Sequence, residues 1–547
     1  MQQLGPLHLL VLATVASMFI IPPVWRLAPR LGLLDLPDPR KVHTNPIPRV
    51  GGWGITLGMV LPLLFWIDAA PLLQSFIAGA LILFAFGVWD DVREIGHWPK
   101  FIGQIAAAAL VVYYGGLYVV SLPFFGDVPP VIGEPFTVFA IVGAINAVNH
   151  ADGLDGLAAG QCLLSLMALA VLGYFADSRL VVGVALATAG GILGFLRYNS
   201  HPARVFMGDS GSQVLGFTVA FLTVQLTQVA NTALSSALPL LLLGVPIADI
   251  LGVLYQRATG GNNWFKATRN HVHHRLLDLG FRHYETVIII YLIQALLVVG
   301  AVLMRYQSDF AVAGAYLGVV VALFCMLLLA ERRGWRFDHR GGIGSPLRHL
   351  SDALQRLERS SVVRAAPRAL LTVSVPAALL LGPLEVARVP HDVAIVAAVL
   401  AAVAAMQIGR SRANGSTLVR LAVYVAAVAS VYLFVNDPGA STRPLQPVVV
   451  VLIAALAAAI WGYIRFAPDH RFNTTPTDYL ILFIGLALLI FSNLNIGGRA
   501  LVEIVICAVV LVYSCEVLLG IAAPRRWNVL HLSTLASLSI LVFRGVM

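Results

Sequence analysis

The chain has 547 residues, 59% of them hydrophobic and 12% charged, with a mean hydropathy of +0.85, against about 45–50% apolar and 25% charged in soluble domains. That composition excludes a soluble globular protein, and the length is better counted in bilayer spans of about 20 residues. The +9 balance of 36 Lys+Arg over 27 Asp+Glu has its simplest reading in membrane topology, so no nucleic-acid partner is expected.

In chain order, apolar runs predict spans over 7–25, 52–67, 73–89, 101–121, 136–149, 158–175, 179–196, 213–231, 234–255, 286–304 and 310–330. An arginine-rich stretch, 331–366, separates these eleven from six more near 367–384, 392–408, 419–435, 446–464, 478–494 and 500–521, with a weaker candidate at 529–545. The expected fold is therefore all-α. It is a polytopic integral membrane protein with an eleven-span core (1–330), a cytoplasmic linker (331–366) and a C-terminal membrane extension (367–547). The first run is followed by Arg26 and Arg30 and preceded by no basic residue, so it reads as a span with its N-terminus outside rather than as a cleavable signal. On that orientation 30 basic residues fall inside. Six fall outside: Arg179, Arg305, Arg388, Arg443, Arg499 and Arg544. This is the asymmetry of the positive-inside rule. Cys162, Cys325, Cys507 and Cys515 lie within apolar runs, without metal-ligand or disulfide spacing.

Five polar stretches interrupt the pattern, all on the inside face. Arg40, Lys41, His43 and Arg49 precede Gly51-Gly52 at the entry to the second span. Cations and glycine N–H groups can clasp an anion, although an ordinary positive-inside loop has the same composition. Asp90-Asp91 closes the third span and Lys100 and Gln104 open the fourth; adjacent carboxylates repel unless a metal or basic partner joins them or one keeps its proton. Asn146 and Asn149 share a helical face and lead into Asp152-Gly153-Leu154-Asp155-Gly156, where glycines permit close backbone approach and polar groups at membrane depth point to function. Gly208-Asp209-Ser210-Gly211-Ser212 sets one carboxylate at a helix N-terminus, which suits a Mg²⁺–phosphate site as well as a plain N-cap. Asn270-His271-Val272-His273-His274-Arg275 precedes the tenth span. With no cysteine partner, hydrogen bonding to a diphosphate or uracil nucleotide is more attractive there than Zn²⁺.

As an ordered set, Asp90-Asp91, Asn146 to Gly156, Gly208 to Ser212 and His271 to His274 resemble the polyprenyl-phosphate N-acetylhexosamine-1-phosphate transferases, membrane enzymes that start bacterial cell-envelope polysaccharides. The resemblance runs from about Asp35 to Ala330. It implies transfer of a HexNAc-1-phosphate from a UDP-sugar to undecaprenyl phosphate with release of UMP. It also implies Mg²⁺ as cofactor, with Mn²⁺ as the alternative ion, and an active site on the cytoplasmic face of the inner membrane. By residue, it implies catalytic roles for Asp90, Asp91 and Asp209, metal ligation by Asp209 and Asp155, and nucleotide or metal-shell roles for Asn149, Asp152 and Asp155. Lys100, His271, His273, His274 and Arg275 would contact phosphates.

Val272 within the histidine run, with Arg275 after it, resembles the N-acetylhexosamine branch more than the branch making the first peptidoglycan lipid. UDP-GlcNAc is then the leading donor, UDP-FucNAc and UDP-QuiNAc are alternatives, and O-antigen and lipopolysaccharide, common-antigen or teichoic-acid linkage synthesis are the pathways implied. The competing class is a membrane transporter or lipid flippase, which predicts charges at mid-depth and paired broken helices in two halves, whereas the charged motifs here gather at one face. Residues 367–547 lie outside the resemblance and carry no catalytic constellation. Homodimer contacts, lipid access and docking of a partner in the same pathway are the roles open to them.

Overall fold

In a bilayer every backbone amide must be bonded within the protein, so a chain this apolar folds as helices. The computed structural model describes residues 7–37, 45–66, 70–260, 271–337, 361–386, 389–409, 417–436, 446–466, 495–496, 499–521 and 529–546. Residues 40–44, Asn270, the span expected at 478–494 and most of the 331–366 linker lie outside these.

The described residues of Met1–Asp338 form one compact unit. Its helices are α1 (Leu7–Leu31), α2 (Gly51–Trp66), α3 (Pro71–Arg93), α4 (His97–Ala109), α5 (Pro130–Ala151), α6 (Leu157–Phe175), α7 (Arg179–Asn199), α8 (Asp209–Gln225), α9 (Leu238–Leu242), α10 (Gly244–Gly260), α11 (Val272–Asp278), α12 (His283–Leu303) and α13 (Asp309–Arg332). Each of the eleven spans expected in this part contains helix, and across the described residues of the whole chain ten helices are long and apolar enough to cross a membrane. The protein is a multi-pass, all-α membrane protein.

Two spans are built differently from their apolar runs. The run expected over 101–121 starts its helix at His97 and gives way, after a π-turn over Leu110–Tyr114, to Gly115-Gly116. Gly116 has φ +71°, a left-handed conformation that glycine adopts without cost, and the remaining apolar residues enter a hairpin pairing Ser121–Leu122 with Gly126–Asp127. The run over 234–255 is broken between α9 and α10. Gln294 of α12 bridges the break: its Nε2 donates to the Leu242 carbonyl at 3.0 Å and its Oε1 accepts from the Val245 N–H at 3.0 Å. A single buried amide therefore satisfies backbone groups that lipid could not.

Packing sorts the spans by depth. The apolar windows of α6 and of α8 with its π-turn extension are each 89% buried, against 22% for α13, so the former make the core and the latter offers its side chains to lipid. α1 packs on α2 and α7, α6 on α7, and α8 on both α3 and α5. At one end of this bundle the chain after α1 forms a short antiparallel pair, β1 (Leu34–Asp35) with β2 (Ile47–Pro48). Arg49 then bridges in parallel to Phe206.

The described residues of His339–Thr474 and Gly485–Met547 form the other unit. It contains helices Ser361–Glu385, His391–Gly409, Thr417–Asn436, Gln446–Phe466, Leu501–Ile521 and Val529–Val546. The weaker candidate at 529–545 is a full helix, long and apolar enough to span. Polar side chains pair within this unit: Arg420 and Tyr424 both bond Glu516, and Ser430 meets Ser537 at 3.3 Å, as expected where no water is at hand.

Candidate active site

Helix ends converge on a cleft of about 1040 Å³ bordered by Asp90, Asp91, Lys100, Asn149, Asp152, Asp155, Asp209 and His274. The architecture beneath it rests on glycine. Cβ atoms built at Gly52 and Gly87 would each lie under 3.0 Å from Ser210, a distance real side chains do not tolerate. The start of α2, the end of α3 and the start of α8 can meet at Ser210 only because neither position carries a side chain. Gly51 and Gly52 donate their N–H groups to the carbonyls of Phe206 and Met207, both at 2.9 Å. These amides are consumed in joining two loops and are not free to clasp an anion, which favours the ordinary-loop alternative for that motif.

Asp209, the first residue of α8, stands at the centre. Its Oδ2 accepts from Lys100 Nζ at 2.6 Å, Asn149 Nδ2 at 3.1 Å and Gln213 Nε2 at 3.3 Å. Lys100 also pairs with Asp90 Oδ2 at 2.8 Å, and the other Asp90 oxygen accepts the Ile95 N–H at 3.0 Å. Behind Gln213, Gln104 and Asn146 continue a buried chain: Gln104 Nε2 donates to Gln213 Oε1 at 3.2 Å and Asn146 Nδ2 to Gln104 Oε1 at 2.7 Å. The orientation of the Asp209 carboxylate is thus set from inside the membrane-facing bundle.

Asp91 is 4% exposed and does something different from its neighbour. Its Oδ1 accepts the Asp209 N–H at 2.9 Å, and its Oδ2 accepts the Ser210 N–H at 3.2 Å and the Ser210 hydroxyl at 2.8 Å. A carboxylate on the first N–H groups of a helix satisfies orphan donors and favours the positive end of the helix dipole. The two adjacent aspartates, which the sequence could not tell apart, have separate partners.

Asp152 opens onto the cleft. Desolvation by surrounding protein, then the charges of Asp209, Asp155 and Asp91, push its carboxyl up to about 7. Asp155 goes the other way. Burial works against its charged form, but the hydrogen bond with His201 and the nearby His283 bring it below its ordinary value.

The histidine loop divides. His274 borders the cleft, while His271, His273 and Arg275 do not. His271 Nδ1 donates to Asp249 Oδ2 at 2.7 Å, and the Val272 N–H to the other Asp249 oxygen at 2.7 Å. His273 is 3% exposed and its ring abuts Gly153; burial first, then His274, pushes its pKa down to about 3, so the ring is neutral, and it does not border the cleft. Arg275 is buried and held by Glu331, with Nε to Oε1 at 2.7 Å and the second guanidinium contact at 2.9 Å. A bidentate pair of this kind commits the fork, so Arg275 ties α11 to the end of α13 instead of reaching for a substrate.

Sequence reasoning did not single out Gln213, Asp249, His201, His283 or Glu331. Asp249 carried a usable signal, since it is the one charged residue in the apolar run 234–255 and intramembrane carboxylates are rarely idle. Gln213 lies one helical turn after Asp209 and bonds it, while His201, His283 and Glu331 acquire meaning only through partners distant in the chain.

Residues 73–227 match the family described as glycosyl transferase family 4. The chain is 33% identical over 328 residues to a probable undecaprenyl-phosphate N-acetylglucosaminyl 1-phosphate transferase of Bacillus subtilis, covering 59% of this chain and 91% of that protein. It is 33% identical to the decaprenyl-phosphate N-acetylglucosaminephosphotransferase of Mycobacterium tuberculosis, covering 59% of this chain and 88% of that protein. With the undecaprenyl-phosphate alpha-N-acetylglucosaminyl 1-phosphate transferase of Escherichia coli K12 the identity is 30%, over 57% and 87%.

Proposed function

Since the chain belongs to the polyprenyl-phosphate N-acetylhexosamine-1-phosphate transferase family, we propose that it transfers GlcNAc-1-phosphate from UDP-GlcNAc to undecaprenyl phosphate. An oxygen of the lipid phosphate attacks the sugar-bearing phosphorus, the bond to the bridging oxygen breaks, and UMP leaves. The observation that carries the reading is the Asp90–Lys100–Asp209 constellation in a cleft at the ends of membrane spans, where a charged head group and an isoprenoid tail can be held together.

The donor set suits Mg²⁺. Asp90, Asp152 and Asp209 bring hard carboxylate oxygens to one cleft, and among the described residues Asp209 Oδ1 accepts no hydrogen bond while Oδ2 takes three donors. Mg²⁺, or Mn²⁺ in its place, would supply charge neutralisation for the phosphates, with Asp209 as its principal holder. Lys100 neutralises phosphate charge from the acidic wall. Asp90 fixes the lysine. Asn149 and Gln213 hold Asp209 in one rotamer. A phosphate monoester has a second pKa of about 6 and needs little general-base help at neutral pH, so these groups position the acceptor rather than deprotonate it. The transporter alternative is not favoured. The basic-residue asymmetry supports a cleft that faces the cytoplasm, and the bacterial sources of the relatives support an inner-membrane setting.

The test is purified protein with UDP-GlcNAc and undecaprenyl phosphate, with and without Mg²⁺, followed for UMP. Release that needs neither lipid phosphate nor divalent metal would overturn the reading. Two further outcomes are expected. His274→Ala should raise the donor KM about tenfold, as for loss of one hydrogen bond to a charged group, with a smaller change in acceptor KM; the reverse pattern would remove His274 from donor binding. A chain ending near Ser361 should retain lipid-linked sugar synthesis in vitro, because every cleft residue named above precedes it. A folded but inactive truncation would give the C-terminal extension a part in the active site.

A further inference from the structure

A second group of ligand-type side chains lines the same cleft. Asp155 lies in the turn between α5 and α6, His201 in the loop between α7 and α8, and His283 at the first position of α12. His201 Nδ1 is 2.7 Å from Asp155 Oδ2 and His283 Nε2 is 3.9 Å from the same oxygen. The two imidazoles stack with centroids 4.1 Å apart. One ligand atom from each residue falls within 4.8 Å of the others, and among the described residues no other group of three His, Cys, Asp or Glu does so.

We propose that Asp155, His201 and His283 form a divalent transition-metal site, suited to Zn²⁺, in the wall of the cleft and separate from the carboxylates around Asp209. Two imidazole nitrogens and one carboxylate oxygen are a borderline donor set, matched to Zn²⁺ or Co²⁺ rather than to Mg²⁺. Three protein ligands leave a coordination position, and side-chain exposures of 39% for His201, 17% for Asp155 and 15% for His283 direct that position toward the cleft. The ligands are already aimed. The Ala203 N–H donates to Asp155 Oδ2 at 3.1 Å, orienting the carboxylate as outer-shell donors do in metal sites. The Asp155 N–H donates to His283 Nε2 at 3.2 Å, which puts that lone pair inside the cluster, where a metal would replace a long hydrogen bond. The partners of Asp155 are His201, Ala203 and His283, and those of Asp209 are Lys100, Asn149 and Gln213. The two sites share no side chain. The metal would cross-link segments 46 and 128 residues apart in the chain and so stabilise the cleft wall as well as present a Lewis acid to it.

The experiment uses the untagged full-length chain in detergent, stripped with chelator and kept in excess Mg²⁺. It is titrated with Zn²⁺ by calorimetry and with Co²⁺ by its visible absorption. The expected result is one equivalent of Zn²⁺, a raised melting temperature, and Co²⁺ bands of a mixed nitrogen–oxygen site. His201→Asn keeps a side-chain N–H for Asp155 but removes the imidazole; it and His283→Ala should each weaken Zn²⁺ binding by at least about 100-fold. Asp209→Asn should leave Zn²⁺ binding intact. A wild-type chain that takes up no Zn²⁺ would reduce the cluster to a hydrogen-bonded clasp between loops. Binding that survives His201→Asn and His283→Ala, or that disappears in Asp209→Asn, would overturn the assignment.

Discussion

Asp209→Asn is expected to abolish UMP release, a loss of about 10³-fold or more, in a protein that still inserts and melts close to the parent. The carboxamide keeps the shape of the side chain and an oxygen for Lys100, Asn149 and Gln213, but it removes the charge that would hold the metal. Metal-borne neutralisation of phosphates is worth several kcal/mol in the transition state, and tenfold in rate is about 1.4 kcal/mol. The structural cost is small by comparison, because a negative charge in the first turn of a helix contributes about 0.3–1 kcal/mol. Steady-state UMP release and a melting curve measured on the same preparation decide the matter. Near-parental turnover would remove Asp209 from the centre of the site.

The second large effect separates the two adjacent aspartates. Asp91→Asn turns one acceptor oxygen into an N–H₂ group facing the Ser210 or Asp209 donors it used to satisfy. A buried donor left without an acceptor costs about 1–3 kcal/mol, so the melting temperature should fall. A displacement of about 1 Å at the start of α8 would move Asp209 with it and lower kcat by about 10²-fold. Asp90→Asn, by contrast, weakens the Lys100 pair and leaves the Asp91 contacts to the α8 start in place, so it should lower activity with a smaller change in melting. Ser210→Ala should reproduce part of the Asp91→Asn loss, since both changes loosen the same helix start. If Asp91 instead abstracted a proton from the acceptor, Ser210→Ala would be nearly silent and Asp91→Asn would leave stability unchanged.

The spans were legible because the bilayer enforces them. A run such as 158–175 can be read off hydropathy, and α6 occupies it almost residue for residue. The motif residues nearest the chemistry were legible for a related reason: charged and amide groups at membrane depth stand out against Ala, Val and Leu. Asp90, Lys100, Asn149, Asp152, Asp155, Asp209 and His274 do border one cleft. What stayed hidden was partnership. Arg275 looks like a phosphate ligand until Glu331, 56 residues later, takes its fork. His273 looks like a phosphate contact until burial beside Gly153 leaves its ring neutral and off the cleft border. Gly51 and Gly52 look like an anion nest until Phe206 and Met207 claim their amides. Each reversal comes from a contact across tens or hundreds of residues, which local pattern cannot encode. The breaks at Gly116 and between α9 and α10 were missed likewise, because apolar composition continues through them while the backbone does not.

The vertex at Ser210 also sets a timetable for biogenesis. Asp91 and Ser210 are 119 residues apart, so at a synthesis rate of about 5–20 residues per second on the order of ten seconds pass between emergence of the two. Through that interval the notches at Gly52 and Gly87 are made but empty, and the Asp91 carboxylate has none of its eventual donors. The place that the Ser210 backbone takes between Gly52 and Gly87 in the folded chain has no occupant until α8 is made. The seven helices that precede Ser210 cannot complete the cleft without it, so a ribosome stalled before Ser210 leaves in the membrane a product with the acidic pair but without the helix start that directs it.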